Sequence, residues 1–116
     1  MKRQRAERGG RRAETLAALW LRLKGWHILG RRVRTPVGEV DLVARRGRTV
    51  AFIEVKARAN WDEAGLSLDH FRLRRVAAAA EALAPRFVRA GDDQRIDAIF
   101  IVPRRLPRHL VNVWHG

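Results

Sequence analysis

The chain has no cysteine among its 116 residues. That excludes a disulfide framework and any thiolate metal site. It also lacks an apolar run close to the roughly 18 residues that a membrane-crossing helix needs. The longest candidate, Leu16 to Leu23, is short, broken by Arg22 and followed by Lys24. The start Met1-Lys2-Arg3-Gln4-Arg5 looks like the basic end of a signal peptide, but no small-residue cleavage site follows, so a cytoplasmic protein with no membrane partner is expected. Histidines 27, 70, 109 and 115 show no ligand spacing and no serine or cysteine partner pattern. They read as structural or surface groups. Internal repeats are absent.

Acidic residues are also in short supply, with 12 Asp and Glu against 25 Lys and Arg, a formal net charge of +13. Such an excess favours a polyanionic partner, and nucleic acid is the first candidate. The plainer reading is solubilising charge from arginine-rich coding, since only Lys2, Lys24 and Lys56 are lysines. An apolar share of 47% is that of a folded chain, and the length suits one domain with a modest core. The expected organisation is a flexible basic tail over 1–10, ending in Gly9-Gly10, and a single domain over 11–116.

Residues 11–24 predict a helix, with Ala13, Leu16, Ala17, Trp20 and Leu23 at helical spacing and Gly25 as its stop. Trp26–Val33, Val37–Ala44 and Thr49–Ala57 predict three strands, the last two joined by a tight turn at Arg45-Arg46-Gly47-Arg48. Residues 58–66 read as a polar loop. Ser67 is a suitable N-cap for a second helix ending before Pro85, with Leu68, Phe71, Val76, Ala79, Ala80 and Leu83 facing the core. Arg72, Arg74 and Arg75 lie on another face. Ile96–Val102 predicts a fourth strand, and Leu110–Trp114 a short fifth. The order implies an α/β fold: an antiparallel meander, a crossover helix and a parallel strand, with helices flanking a mixed sheet.

The chemistry concentrates in the third strand. Glu54-Val55-Lys56 sits inside Val50-Ala51-Phe52-Ile53-Glu54-Val55-Lys56-Ala57, and unpaired charge in such a place costs on the order of several kcal/mol. Period two puts Phe52, Glu54, Lys56 and Arg58 on one face. On the second strand Glu39, Asp41 and Val43 would share a face, opposed by Val40 and Leu42. The hairpin brings Asp41 opposite or diagonal to Glu54. Crowded carboxylates repel unless a cation sits between them, and hard oxygen ligands suit Mg²⁺ or Mn²⁺. Lys56 would then serve a phosphate or the attacking water. The competing reading is a cross-strand ion pair on a solvated sheet face. Glu14 falls in line with Ala17, Ala18 and Leu21 and reads equally as a third acid at the metal or as a first-turn glutamate favoured by the helix dipole. Asp97, another acid within a strand, reads as an arginine partner rather than as a catalytic acid. Trp26, Trp61 and Trp114 could stack on bases, though core or loop-anchor roles suit them better.

Gly-x-x-Ala-Glu at 10–14, Gly-Glu-Val-Asp-Leu-Val at 38–43, Phe-Ile-Glu-Val-Lys-Ala-Arg at 52–58 and Arg-Ile-Asp at 95–97 together resemble the YraN family of small bacterial proteins. The resemblance covers nearly all of the chain after residue 9. That family is similar to the PD-(D/E)xK nucleases, of restriction-endonuclease-like αβββαβ fold, and especially to archaeal Holliday-junction resolvases. The resemblance implies Glu14, Asp41 and Glu54 as metal ligands and Lys56 as the catalytic lysine. It also implies branched or structured DNA as substrate and a homodimer. The family pattern often has a lysine early in the second helix; here Arg72 is the nearest match.

The expected function is therefore a Mg²⁺- or Mn²⁺-dependent endonuclease hydrolysing DNA phosphodiesters. Asp41, Glu54 and Lys56 would be catalytic, and Arg58, Arg72, Arg74 and Arg75 would contact phosphates without reading sequence. The alternative is a non-catalytic nucleic-acid-binding module on a nuclease fold.

Overall fold

The computed structural model describes residues 2–66 and 69–116. The elements run α1 (Lys2–Leu23), β1 (His27–Thr35), β2 (Gly38–Arg46), β3 (Thr49–Ala57), α2 (Trp61–Leu66), α3 (His70–Phe87), β4 (Asp93–Ile101) and β5 (Arg108–Leu110). The strands form one sheet in the order β1-β2-β3-β4-β5. β1, β2 and β3 are an antiparallel meander, β4 runs parallel to β3, and β5 returns antiparallel to β4. This is the expected mixed α/β sheet.

Each face of the sheet is covered by a helix. On one face Val40, Val43, Val50, Phe52 and Ile96 pack with Leu73, Val76, Ala79, Ala80 and Leu83 of α3. On the other, Leu42, Ala44, Ala51, Ile53 and Ile99 pack with Ala17, Ala18 and Leu21 of α1 and with Trp26. α1 ends in a Schellman motif. Trp26 N–H donates to Leu21 O, Gly25 N–H donates to Arg22 O, and Gly25 takes φ +89°, which glycine adopts without strain.

Several expectations are corrected. α1 begins at Lys2 rather than residue 11, because Lys, Arg, Gln, Ala and Glu are good helix formers and outweigh Gly9-Gly10. Its buried face is Ala13, Glu14, Ala17, Ala18 and Leu21, while Leu16 and Leu23 are exposed; the alanines let the helix lie close to the sheet. The loop at 58–66 contains α2. Asn60 Oδ1 accepts Glu63 N–H and Glu63 Oε2 accepts Ala59 N–H, a variant of the capping box. α3 is capped by Asp69, whose side chain accepts Arg72 N–H, and Ser67 and Leu68 lie outside the described residues. Phe71 is exposed and Leu73 takes its place in the core. α3 also runs through Pro85 to Phe87, since a proline in the last turn removes only one helical hydrogen bond. β5 forms at Arg108–Leu110, earlier than expected.

Ala17 is 0% exposed and its neighbour Leu16 is 49% exposed. Ala17→Leu should therefore destabilise the fold by about 1–3 kcal/mol through overpacking, whereas Leu16→Ala should change it by no more than about 0.5 kcal/mol. Urea unfolding of the two variants checks which face of α1 is buried.

Candidate functional site

The site is built where β2 leaves β3. Their ladder runs from Arg46↔Thr49 to Leu42↔Ile53 and stops there. One more step would set Asp41 opposite Glu54. Instead Asp41 Oδ2 accepts Val55 N–H at 2.7 Å, so a side chain takes the place of a backbone acceptor. The neighbouring pair in the β1–β2 ladder, Arg32 with Asp41, is also missing, although Arg31↔Leu42 and Val33↔Val40 flank it. Arg32 has φ +49°, a strained value for a residue with a side chain. The alternation of β2 breaks here too. Val40 and Val43 pack on the α3 side and Leu42 on the α1 side, which corrects the expectation that Val40 and Leu42 share a face.

The four residues expected at the centre are all buried or half-buried. Glu54 and Lys56 share a strand face, as period two requires, and Lys56 Nζ lies 2.7 Å from Glu54 Oε1. Lys56 is 5% exposed, so its ammonium is held out of water against that carboxylate. The second oxygen, Glu54 Oε2, is buried and has no hydrogen-bond partner among the described residues. Glu14 is 6% exposed and its Oε2 meets Arg32 Nε at 2.6 Å. Asp41 is half-buried, and burial pushes its pKa up to about 6. The Val55 N–H bond opposes that rise, and the charges of Glu14, Glu54 and Glu39 add to it. The acids therefore feel one another.

Among the described residues, no three histidine or acidic side chains stand close enough together to hold one ion. Glu14 and Glu54 are instead turned to Arg32 and Lys56. The donor set nonetheless fits a hard divalent cation. It offers carboxylate oxygens only, one of them buried without a partner among the described residues, and a neighbouring acid whose charged form is disfavoured by burial and by the charges of Glu14, Glu54 and Glu39.

The expected phosphate contacts flank this end of the sheet. Arg72, Arg74 and Arg75 are exposed on the first turns of α3 and make no ion pair among the described residues. A side chain at Gly38 would meet Arg75 O at 3.1 Å, which places these turns against the start of β2. Arg58 is half-buried, with Nη1 on Ala57 O at 2.7 Å. Sequence reasoning missed Arg32; its signal was two successive arginines, Arg31 and Arg32, inside a strand.

Asp97 is a separate, structural centre. It is 0% exposed and accepts from Arg95 Nε at 3.0 Å and Asn112 N–H at 2.9 Å, and it meets His109 Nε2 at 2.7 Å. Burial pulls its pKa upward, but the bonds from His109, Asn112 and Arg95 outweigh it and hold the carboxyl below the ordinary value. The arginine pairing expected for it is present, and it also fastens β5 and the residues after it.

The model of the Uncharacterised protein family UPF0102 matches residues 13–101. The chain belongs to UPF0102, the YraN family. Among its UPF0102 relatives, the Sphingopyxis alaskensis protein is 68% identical over 114 residues, covering 98% of each chain. The Rhizorhabdus wittichii protein is 59% identical over 117 residues, covering 99% of this chain and 98% of the relative. Among solved structures the chain is similar to Archaeoglobus fulgidus Hjc, a Holliday junction resolvase from an archaeal hyperthermophile, with a TM-score of 0.61 and 21% identity. That match covers 86% of this chain and 73% of Hjc, and it shows that the UPF0102 chain shares the resolvase's fold.

Asp41 and Asp97 should give opposite pH dependences. The raised folded pKa of Asp41 adds stability that is fully present below about pH 4 and is lost as pH rises through about 6. Asp41→Asn, which keeps an acceptor for Val55 N–H, should therefore gain stability over the native chain between pH 4 and 7 in urea unfolding. The lowered pKa of Asp97 adds stability above its ordinary value, lost as pH falls. Asp97→Ala should cost about 3–5 kcal/mol at pH 7, because it strands buried partners.

Proposed function

We propose that the protein is a divalent-metal-dependent endonuclease that hydrolyses DNA phosphodiesters, with branched or structured DNA as its substrate. The observation that carries this reading is the buried, unpartnered Glu54 Oε2 beside Lys56, next to a strand whose Asp41 is pushed up to about 6. A purely structural ion pair has no use for an orphaned carboxyl oxygen or for a second acid near enough to feel its charge. The resolvase fold and a charge of +13 point the same way.

In this reading Asp41 and Glu54, with Glu14, would hold Mg²⁺ or Mn²⁺, which would supply positive charge at the phosphate and ease deprotonation of the attacking water. Lys56, paired with Glu54, would set a compact positive charge against the negative charge that develops on the phosphate. Arg32 pairs with Glu14 and keeps a buried acid from standing uncompensated. Arg72, Arg74 and Arg75 would bind the backbone beside the start of β2 and Arg58 at the end of β3, none of them reading sequence. A homodimer with two-fold symmetry would deliver paired cuts. The reading places the protein in the cytoplasm.

A second reading, a nucleic-acid-binding module that does not cut, is favoured by one observation: both Glu14 and Glu54 are already ion-paired. Cleavage of a four-way DNA junction and of linear duplex, with Mn²⁺, Mg²⁺ or EDTA, separates the two. The nuclease reading expects cleavage that EDTA abolishes and that falls by about 10²–10³-fold or more in Lys56→Ala and Glu54→Ala. Tight, salt-dependent binding without cleavage in every condition would move the assignment to the second reading.

A further inference from the structure

β3 and β4 are parallel, so their C-terminal ends emerge together, with Lys56 paired to Phe100 and Ala57 to Ile101. Arg58 N–H continues the pairing to Ile101 O. The chain after β3 leads at once into Trp61, and the chain after β4 into Pro103-Arg104-Arg105-Leu106-Pro107-Arg108. These two segments meet. The Arg108 guanidinium lies over the Trp61 ring, 4.2 Å from its centroid. Trp61 is half-buried, and Arg104, Arg105 and Arg108 are exposed, with no ion pair among the described residues. Open concavities of about 540 and 590 Å³ flank the ring, and Arg104 and Arg105 line both.

Ordinary core demands explain little of this. Leu106 is 73% exposed, so the loop buries no apolar anchor there, and Arg104 is held at φ +62°. No acidic residue follows Asp97 in the chain. Of the two acids next to Trp61, Glu63 is turned back to Ala59 N–H and Asp62 is exposed with no ion pair among the described residues. Trp26 is 3% exposed in the core, and Trp114 packs on His70. Trp20 of α1 is half-buried with Lys24 Nζ 4.7 Å from its centroid, but lies away from the ends of β3 and β4 in the chain.

We infer that Trp61 with Arg104, Arg105 and Arg108 is a platform for an unpaired nucleotide beside the cut site: the ring stacks on the base and the arginines hold the flanking phosphates. It rests on the proposed nucleic-acid substrate and narrows it to DNA with a single-stranded element at the mouth, such as a flap or an opened branch. A flat π-surface rewards a base that has left its stack, whereas a paired base cannot reach it. The arginines serve any strand, because phosphate contacts carry no sequence.

Binding of the full chain to fluorescent flapped DNA and to fully paired duplex, in EDTA so that nothing is cut, tests this. Trp61→Ala should weaken flap binding roughly tenfold and duplex binding less than about twofold. Trp61→Phe, which keeps a ring, should retain most of the affinity and guards against a folding artefact. The paired variant Arg104→Ala with Arg105→Ala should reduce the salt slope on the flap by about 0.7 for each phosphate that is no longer neutralised. Unchanged flap binding in both Trp61 variants, or equal weakening on flap and duplex, would overturn the platform. Trp61-dependent binding with no cleavage in Mn²⁺ would sink the nuclease reading and leave the platform standing. Cleavage that ignores Trp61 would do the reverse.

Discussion

The site depends on one hydrogen bond, from Val55 N–H to Asp41 Oδ2. It ends the β2–β3 ladder without leaving the Val55 donor unpaired, which a buried strand could not tolerate. Because the acceptor is a side chain, β2 is free to part from β3 at that point. Beyond that point Glu54 pairs with Lys56, and Arg32, at the matching gap in the β1–β2 ladder, pairs with Glu14. The sheet further down stays paired, with both faces covered, and gives the open end a rigid base.

Charge management divides the buried carboxylates into two kinds. Asp97 is saturated, with an arginine, a histidine and a backbone donor, and its pKa falls. Such a group is locked and fastens the chain end to the sheet. Among the described residues Asp41 has one donor, it feels the charges of other acids, and its pKa rises. A carboxyl in that state carries its charge at a cost. The contrast arises from partners, since burial raises both and only Asp97 has enough donors to reverse it.

Much of the fold is legible in the sequence where local rules govern. The period of two in β3 sets the shared face of Glu54 and Lys56, and Gly25 and Gly47 mark the end of α1 and the hairpin turn. The limits of β3 are plain because an apolar run of that length, closed by turn residues on one side and polar residues on the other, suits a buried strand and little else. α2 escapes a sequence reading although Asn60 and Glu63 carry its cap, because a polar stretch holding Trp61 looks like a loop. The buried face of α1 is also hard to place. Large Leu16 and Leu23 dominate a periodicity count, but small alanines decide how close a helix can lie. The break at Arg32 and Asp41 is invisible locally, since it follows from two strands and a helix meeting.

We propose that the acids around Asp41 take a divalent cation. A crystal grown with Mn²⁺ and measured at its absorption edge should show an anomalous peak within coordination distance of carboxylate oxygens of Asp41 and Glu54, with Lys56 moved off Glu54 Oε1. Saturating Mn²⁺ with no peak at these acids, and the Lys56–Glu54 pair intact, would contradict it.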